Sequence, residues 1–249
     1  MKSANTKPIL TCATLAVACI PWLAFAQSVD PDADEVLRGM TTYMAGLKQF
    51  SAQTENTLEV VTIDGQKIQF TSPATVTVSR PDKLMAERRG DIVDQAFYYD
   101  GKTLTLYNPG TKYYATVPAP ADVDAMLEFA RTKLDIIAPG ADLIDSRAYE
   151  HLMQDVRTGT YVGMATVGGH RCHHLAYRSV DVDWQVWVRD GKQAIPCKYV
   201  ITSREVAGAP QFTVNVLQFD PAPKISDAQF RFVPPADAKT IEFMPVQSR

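Results

Sequence analysis

None of the short motifs that announce an active site occurs in this sequence. There is no Gly-x-Ser-x-Gly elbow, no His-Glu-x-x-His, no Walker loop and no Gly-x-Gly-x-x-Gly. That argues against hydrolase, zinc-peptidase and nucleotide chemistry in their usual forms. Beyond the first 26 residues no apolar run reaches the ~18 that cross a bilayer as a helix. Basic residues do not predominate: 25 Lys and Arg face 28 Asp and Glu, for a net charge of −3. Without a basic patch to neutralise phosphates, nucleic acid is not an expected partner. No internal repeat or low-complexity tract is present. Cysteine is scarce, at four residues.

What is present begins with a leader. Lys2 and Lys7 make a short basic region, residues 9–23 are mostly apolar, and Ala24-Phe25-Ala26 is a small-x-small cleavage site. Residues 1–26 therefore read as a secretory signal peptide, which implies a periplasmic protein exported across the inner membrane. A lipoprotein signal at Cys19 is the rival, but Ala16-Val17-Ala18 lacks the usual leucine. Residues 27–249 read as a single domain carrying about −5 charges, since the leader takes two lysines with it.

Cys12 and Cys19 fall in the leader, leaving Cys172 and Cys197. An even count in an oxidising compartment favours a disulfide between them. A plain three-strand meander over 172–203 would oppose it. The two cysteines would then sit on outer strands, ~9.6 Å apart at ~4.8 Å per strand, against the ~7 Å limit for bridged Cα atoms. Pro196 offers a way out, by breaking the third strand and letting Cys197 swing across.

Along the chain, Asp30 and Pro31 open a helix whose apolar stripe is Val36, Leu37, Met40, Tyr43, Met44, Leu47 and Phe50. The period then changes to two. Residues 51–63 and 66–80 form a hairpin about Asp64-Gly65, with Pro73 marking an edge or a bulge. Short strands follow at 83–89, 93–99, 103–108 and 112–117. Residues 119–157 break the pattern as a helical insertion, with Val123, Met126, Leu127, Ala130 and Leu134 on one helix and a weaker second helix around Leu143–Met153. Strands resume at Tyr161 and run over 172–179, 182–189, 198–204 and 211–219, with a last one at Gln229–Val233. The sum is an α+β fold: a curved antiparallel half-barrel of about ten strands, covered by the N-terminal helix and the two-helix insertion.

This order of parts resembles the LolA/LolB-like fold of periplasmic lipoprotein carriers. The segments that carry the resemblance are "LKQFSAQTENTLEV", "VTVSRPDKLMAE", "FYYDGKTLTLYNPGTKYY" and "DAQFRFVPPADAKTIEF". Within that superfamily the chain is similar to a family of predicted periplasmic proteins. "ADLIDSRAYEHLMQDV", "CHHLAYRSVDVDWQVWV", "IPCKYVIT" and "GAPQFTV" carry that closer likeness. The family implies a fold and a compartment but no established activity. In the carriers, the arginine of the Arg-Pro motif helps hold a helical lid over the cavity. Arg80 matches it, and the resemblance implies that role. The plainer reading is that Arg80 ends a strand and pairs with an acidic neighbour.

His170-Arg171-Cys172-His173-His174 is the densest group of metal-ligand types, but neighbours on a strand point to opposite faces, so a structural role is expected and no metal is. Asp181 and Asp183 read as turn and outer-face residues. The fold then supplies an apolar wall. Leu104 and Leu106 share a strand face, opposite Thr103, Thr105 and Tyr107, and Tyr98, Tyr113, Trp184 and Val186 are expected to extend the wall. The expected function is non-enzymatic: a monomeric carrier or binding protein for a lipid, acyl chain or lipoprotein anchor, with no cofactor. The alternatives are an envelope sensor that binds a protein partner, and a metal-binding protein using His170–His174.

Overall fold

The computed structural model describes residues 28–136 and 138–244. The expected signal peptide, with Cys12 and Cys19, lies outside the described residues. Helix α1 (Pro31–Gly46) starts as its sequence dictates. The Asp30 carboxylate accepts from the Asp32 N–H, and Asp32 and Asp34 sit in the positive first turn. Such a cap contributes about 0.5–2 kcal/mol. The helix buries Ala33, Leu37, Met40, Thr41 and Met44. It ends at Gly46, so Phe50 of the expected stripe belongs to the strand that follows.

Strands β1 (Gln49–Val61) and β2 (Lys67–Ser79) form the hairpin, turning through Gly65 at a φ of 87°. Then come β3 (Lys83–Gly90), β4 (Val93–Tyr99), β5 (Thr103–Asn108) and β6 (Tyr113–Pro118). The insertion follows as α2 (Val123–Lys133), a 3-10 turn (Ala141–Leu143) and α3 (Ala148–Met153). The weaker second helix is thus two short pieces. The chain resumes with β7 (Thr158–Val167), β8 (His170–Arg178), β9 (Val182–Arg189), β10 (Pro196–Ser203) and β11 (Gln211–Asp220), and ends with β12 (Lys239–Thr240).

All twelve strands make one sheet, in the order β12-β6-β5-β4-β3-β2-β1-β11-β10-β9-β8-β7. It is two meanders joined where β1 pairs with β11. Every pair is antiparallel except the short β12–β6 contact. Twelve strands replace the expected ten or so. Pro73 sits where β2 is paired on one side only, because the ladder to β3 begins at Ala74. Its missing N–H therefore breaks no bond on that side. Gln229–Val233 is not a strand. Asp227–Phe230 forms a 3-10 turn, Phe230 is buried, and Phe232 lies across the outer face with its ring 5.0–5.3 Å from those of Tyr98, Tyr107 and Tyr114. Crossing the sheet face lets the Phe232 ring pack on three tyrosines, which extending an edge would not.

The register carries one inner face through the whole sheet. Leu106, Phe97, Ala86, Val76, Ala52 and Phe219 lie in one row, and Val117, Leu104, Tyr99, Leu84, Val78 and Phe50 in the next. In the second meander Tyr177, Trp184, Ile201 and Phe212 continue it. Helices cover this face in two places. α1 and α3 close one core over β8–β10 around Leu37, Leu175, Val186 and Tyr199. The end of α1 and α2 close another over β1–β5 around Phe50, Val78, Tyr99 and Met126. The Tyr177 hydroxyl donates to the Ala33 carbonyl at 2.9 Å, and its ring stacks on Trp184 at 4.0 Å. Gly159 lets the N-terminal segment run beside β7, since a Cβ there would meet the Tyr177 ring at 2.6 Å and Val29 at 2.9 Å.

Bulges bend the sheet. One falls in β11 opposite Gln53 and Thr54, another at Val162, and a third at Cys197, between Pro196 and Lys198. Cys172 and Cys197 are buried free thiols. The bulge displaces Cys197 from the regular ladder, and the Cys172 thiol donates to the His170 carbonyl at 3.6 Å.

Candidate functional site: an apolar cavity under the helical insertion

Between the two cores the sheet is not filled by its own side chains. A cavity of about 650 Å³ lies there, within the ~300–1,000 Å³ range of ligand pockets. Its floor is the inner face at the junction of the meanders: Val76, Leu84, Ala86, Phe97 and Leu104 from β2–β5, Leu58 from β1, Ile201 from β10 and Phe212 from β11. Its cover is the insertion, through Met126, Leu127, Ala130, Ile136 and Ile144. Small residues make the space. Ala74 and Ala86 occupy neighbouring positions of the floor where larger side chains would reach the cover. The apolar face then runs out along the β1–β2 hairpin, where Leu58, Val60 and Ile68 are 38–39% exposed.

Arg80 fastens the cover. Its guanidinium donates to the Ile144 carbonyl and pairs with Asp124 at 3.5 Å. Asp124 also accepts from the Ser146 N–H at 3.1 Å and from the Ser146 hydroxyl. The Val123 N–H donates to the Pro81 carbonyl at 2.8 Å. One residue at the end of β2 thus ties together the start of α2 and the segment before α3. The acidic partner of Arg80, Asp124, belongs to α2 of the helical cover.

Polar groups enter the lining in a few places. Thr54 donates to the Asn56 side chain at 3.2 Å on the β1 floor. Asp142, Asp145 and His151 come from the insertion. Asp145 is buried and faces Arg147 at 3.8 Å and His151 at 3.6 Å. Asp142 is an exposed residue at the edge of the lining, and neighbouring protein atoms take part of the water from its carboxyl. That desolvation raises its carboxyl above the usual 3.8, partly offset by His151 and Arg131. Glu128 and Arg131 from α2, and Glu87 and Arg88 from β3, are further charged lining residues, and Arg88 has Gln95 as its hydrogen-bond partner.

The structure divides the expected wall residues. Leu104 is buried and lines the cavity, and Leu106 shares its face one row away. Trp184 and Val186 are on the inner face but packed inside the α1–α3 core, with Trp184 also lining a smaller cleft of about 260 Å³ beside Asp142 and His151. Tyr113 is 42% exposed at the paired end of β6. Tyr98 is on the opposite face. It stands across from Thr105, which alternates with Leu104, and it packs on Phe232. Strand parity alone separates it from the wall. Sequence reasoning missed Ala86, Phe97, Met126 and Phe212. Parity was a usable signal for the first two, since Ala86 and Leu84 share a face.

The histidine cluster does not converge. His174 hydrogen-bonds Gln185 at 2.9 Å and stacks on Trp187 at 4.1 Å. His173 meets the Tyr161 hydroxyl at 2.9 Å and Asp190 at 3.4 Å, and His170 is exposed at a turn. Among the described residues no three His, Cys, Asp or Glu side chains group as metal ligands. Asp183 is engaged by Arg178 at 2.9–3.0 Å. Among the described residues no helix is long and apolar enough to cross a membrane.

A family model described as "Predicted periplasmic protein (DUF2092)" matches residues 33–244. The crystal structure of an uncharacterized conserved protein from Thermus thermophilus is similar in fold, with a TM-score of 0.50 at 13% identity over 85% of this chain and 99% of that one. LprF from Mycobacterium bovis gives 0.49 at 15% identity, over 84% and 99% of the two chains. The Pseudomonas aeruginosa MucA/MucB complex gives 0.43 at 14%, over 81% and 61%. No curated protein matches the chain significantly. The observed fold is the α+β half-barrel class expected from the order of the motifs.

The raised carboxyl of Asp142 sets a pH test. An acid whose folded pKa is raised binds more protons folded than unfolded, so stability falls as pH climbs above ~4. Asp142→Asn removes that loss. Thermal melts are expected to show the variant more stable than wild type at pH 7, with the difference vanishing towards pH 4. Equal melting temperatures at pH 7 contradict the assignment.

Proposed function

The chain belongs to the DUF2092 family of predicted periplasmic proteins, and from that premise we propose that it is a non-enzymatic carrier for an acyl chain or similar apolar ligand in the bacterial envelope, exported by a cleaved signal peptide. The observation that carries this reading is the apolar cavity of about 650 Å³ beneath the insertion. Binding is by burial. Each methylene removed from water contributes about 0.8 kcal/mol, while association costs ~4–15 kcal/mol in lost freedom. Offsetting that cost on burial alone takes roughly 5 to 19 methylenes. That favours a long acyl tail over a small metabolite.

The insertion serves as a lid and Arg80 as its latch. Entry and exit require the lid to move, and the exposed residues Leu58, Val60 and Ile68 give an apolar lip by which a chain enters or leaves. The interaction-protein reading needs a filled barrel, and the cavity weighs against it. The metal reading needs convergent histidines, and their separate partners weigh against it.

Two variants test the reading. Ala86→Trp puts an indole into the cavity from the floor. Titration with 1-N-phenylnaphthylamine, whose fluorescence rises in apolar sites, is expected to give at least a tenfold weaker affinity than wild type, with the circular dichroism spectrum retained. Unchanged affinity would show that the dye, and the proposed cargo, do not use this cavity.

Arg80→Leu is expected to speed dye release several-fold and to raise amide hydrogen exchange in α2 without raising it in β8–β10. Unaltered release removes Arg80 as the latch.

A further inference from the structure

Arg88 is a cation in the wall of a greasy cavity without an anion. It stands on the inner face of β3, one step along the strand face from Ala86, and is only partly exposed. Its guanidinium donates to the Gln95 side chain at 3.3 Å. The acidic residues closest to it in the ladder, Glu87 and Asp94, have the opposite strand parity and lie 3.8 and 4.0 Å from Arg89. Arg131, another cation of the lining, is held by Glu128 at 2.7 Å. No carboxylate among the described residues pairs with Arg88. Burial lowers its pKa from 12.5, and no neighbouring charge opposes that shift. The guanidinium nonetheless stays charged at any physiological pH.

A charge withdrawn from water without a partner is destabilising. Of the acidic lining residues, Asp142, Asp145 and Glu128 come from the cover, while Glu87, next to Arg88 on β3, has the opposite strand parity and lies 3.8 Å from Arg89. The cavity therefore presents one side that attracts an anion and another that repels it, with apolar surface between. We propose that the ligand is an acyl chain with an anionic head, a carboxylate or phosphate, held by Arg88. A guanidinium meets either group with two parallel N–H donors. The acyl part rests on the carrier reading; the head rests on Arg88 alone.

The test displaces bound 1-N-phenylnaphthylamine at pH 8 with palmitate, hexadecanol, hexadecyl phosphate, and sodium acetate or inorganic phosphate alone. For wild type, palmitate or hexadecyl phosphate is expected to bind at least tenfold more tightly than hexadecanol, with the free anions displacing nothing. In Arg88→Gln, which keeps a partner for Gln95, that ratio is expected to fall to near one while hexadecanol is unaffected; Arg88→Lys retains part of it. Equal binding of acid, phosphate and alcohol by wild type, or an unchanged ratio in Arg88→Gln, overturns the anionic head and leaves the carrier standing. Failure of all three chains to bind overturns the carrier. Displacement by acetate or inorganic phosphate alone overturns the acyl part. The wild-type comparison stands even if the variant does not fold.

A separate observation carries a second inference. Cys172 and Cys197 are 0% and 3% exposed, and the bulge in β10 displaces Cys197 from the ladder to β9, the strand that separates it from Cys172. We infer that the exported protein holds them as a disulfide clamping β8 to β10 across β9. Each thiol gives up its proton. The two electrons pass to the disulfide of an envelope thiol oxidase, which leaves as a dithiol. In the folded chain burial and Cys197 push the Cys172 thiol up to about 12. Protein purified from the periplasm without reductant is expected to weigh about 2 Da less than the reduced chain, the mass of the two hydrogens lost, to resist alkylation in denaturant, and to melt several degrees lower after reduction. Two alkylatable thiols in that denatured, unreduced sample overturn the inference.

Discussion

The pairing of β1 with β11 is the contact on which the rest of the structure depends. Each meander could form from local hairpins, but neither alone makes a half-barrel. Eight residue pairs from Ser51↔Asp220 to Leu58↔Phe212 weld the two into one sheet. The welded strands come from opposite ends of the domain, so the insertion between the meanders must arch over the inner face. That places α2 and its following turn above the junction. The bulge in β11 lies in the same place and adds curvature where the floor drops away from the cover. The cavity is thus a consequence of topology, with small floor residues keeping it from being filled.

The inner face is filled under α1 and α3 and under the start of α2, and it is empty between them. The filled parts give a stable frame of aromatic and aliphatic contacts, including Trp184 on Tyr177 and Phe50 on Phe219. The cover of the empty part is held by the Arg80–Asp124 group, by the Val123 N–H on the Pro81 carbonyl and by Tyr149 on Asp34. A frame packed on both sides and a cover held by a few polar ties is the arrangement a carrier needs, since its cargo must both stay and leave.

Most of the fold was legible because the strands are short and the turns are marked. Asp64-Gly65, Asp100-Gly101 and Pro109-Gly110 sit between strands whose observed bounds differ little from those expected. The helical insertion was legible from the change of period. The failures have physical causes. Phe230 and Phe232 alternate as a strand would, but the Phe232 ring packs across the sheet face rather than at its edge. Tyr98 was grouped with Leu104 by its aromatic character, although register puts them on opposite faces. Trp184 and Val186 do face inward, yet which part of an inner face stays empty depends on where helices land, and no single-strand pattern encodes that. Arg88 was overlooked because a charged residue near a strand end reads as solvated. Its parity with Leu84 and Ala86 was the available signal.

The central claim is that the cavity beneath the insertion holds an acyl chain in the cell. Native mass spectrometry of wild-type protein purified from the periplasm, with the bound material extracted and fragmented, tests it most directly. The account predicts one apolar ligand per chain, released when the lid is unlatched and carrying an acyl tail. Protein that emerges only as the bare chain, and stays bare after incubation with envelope lipids, contradicts it.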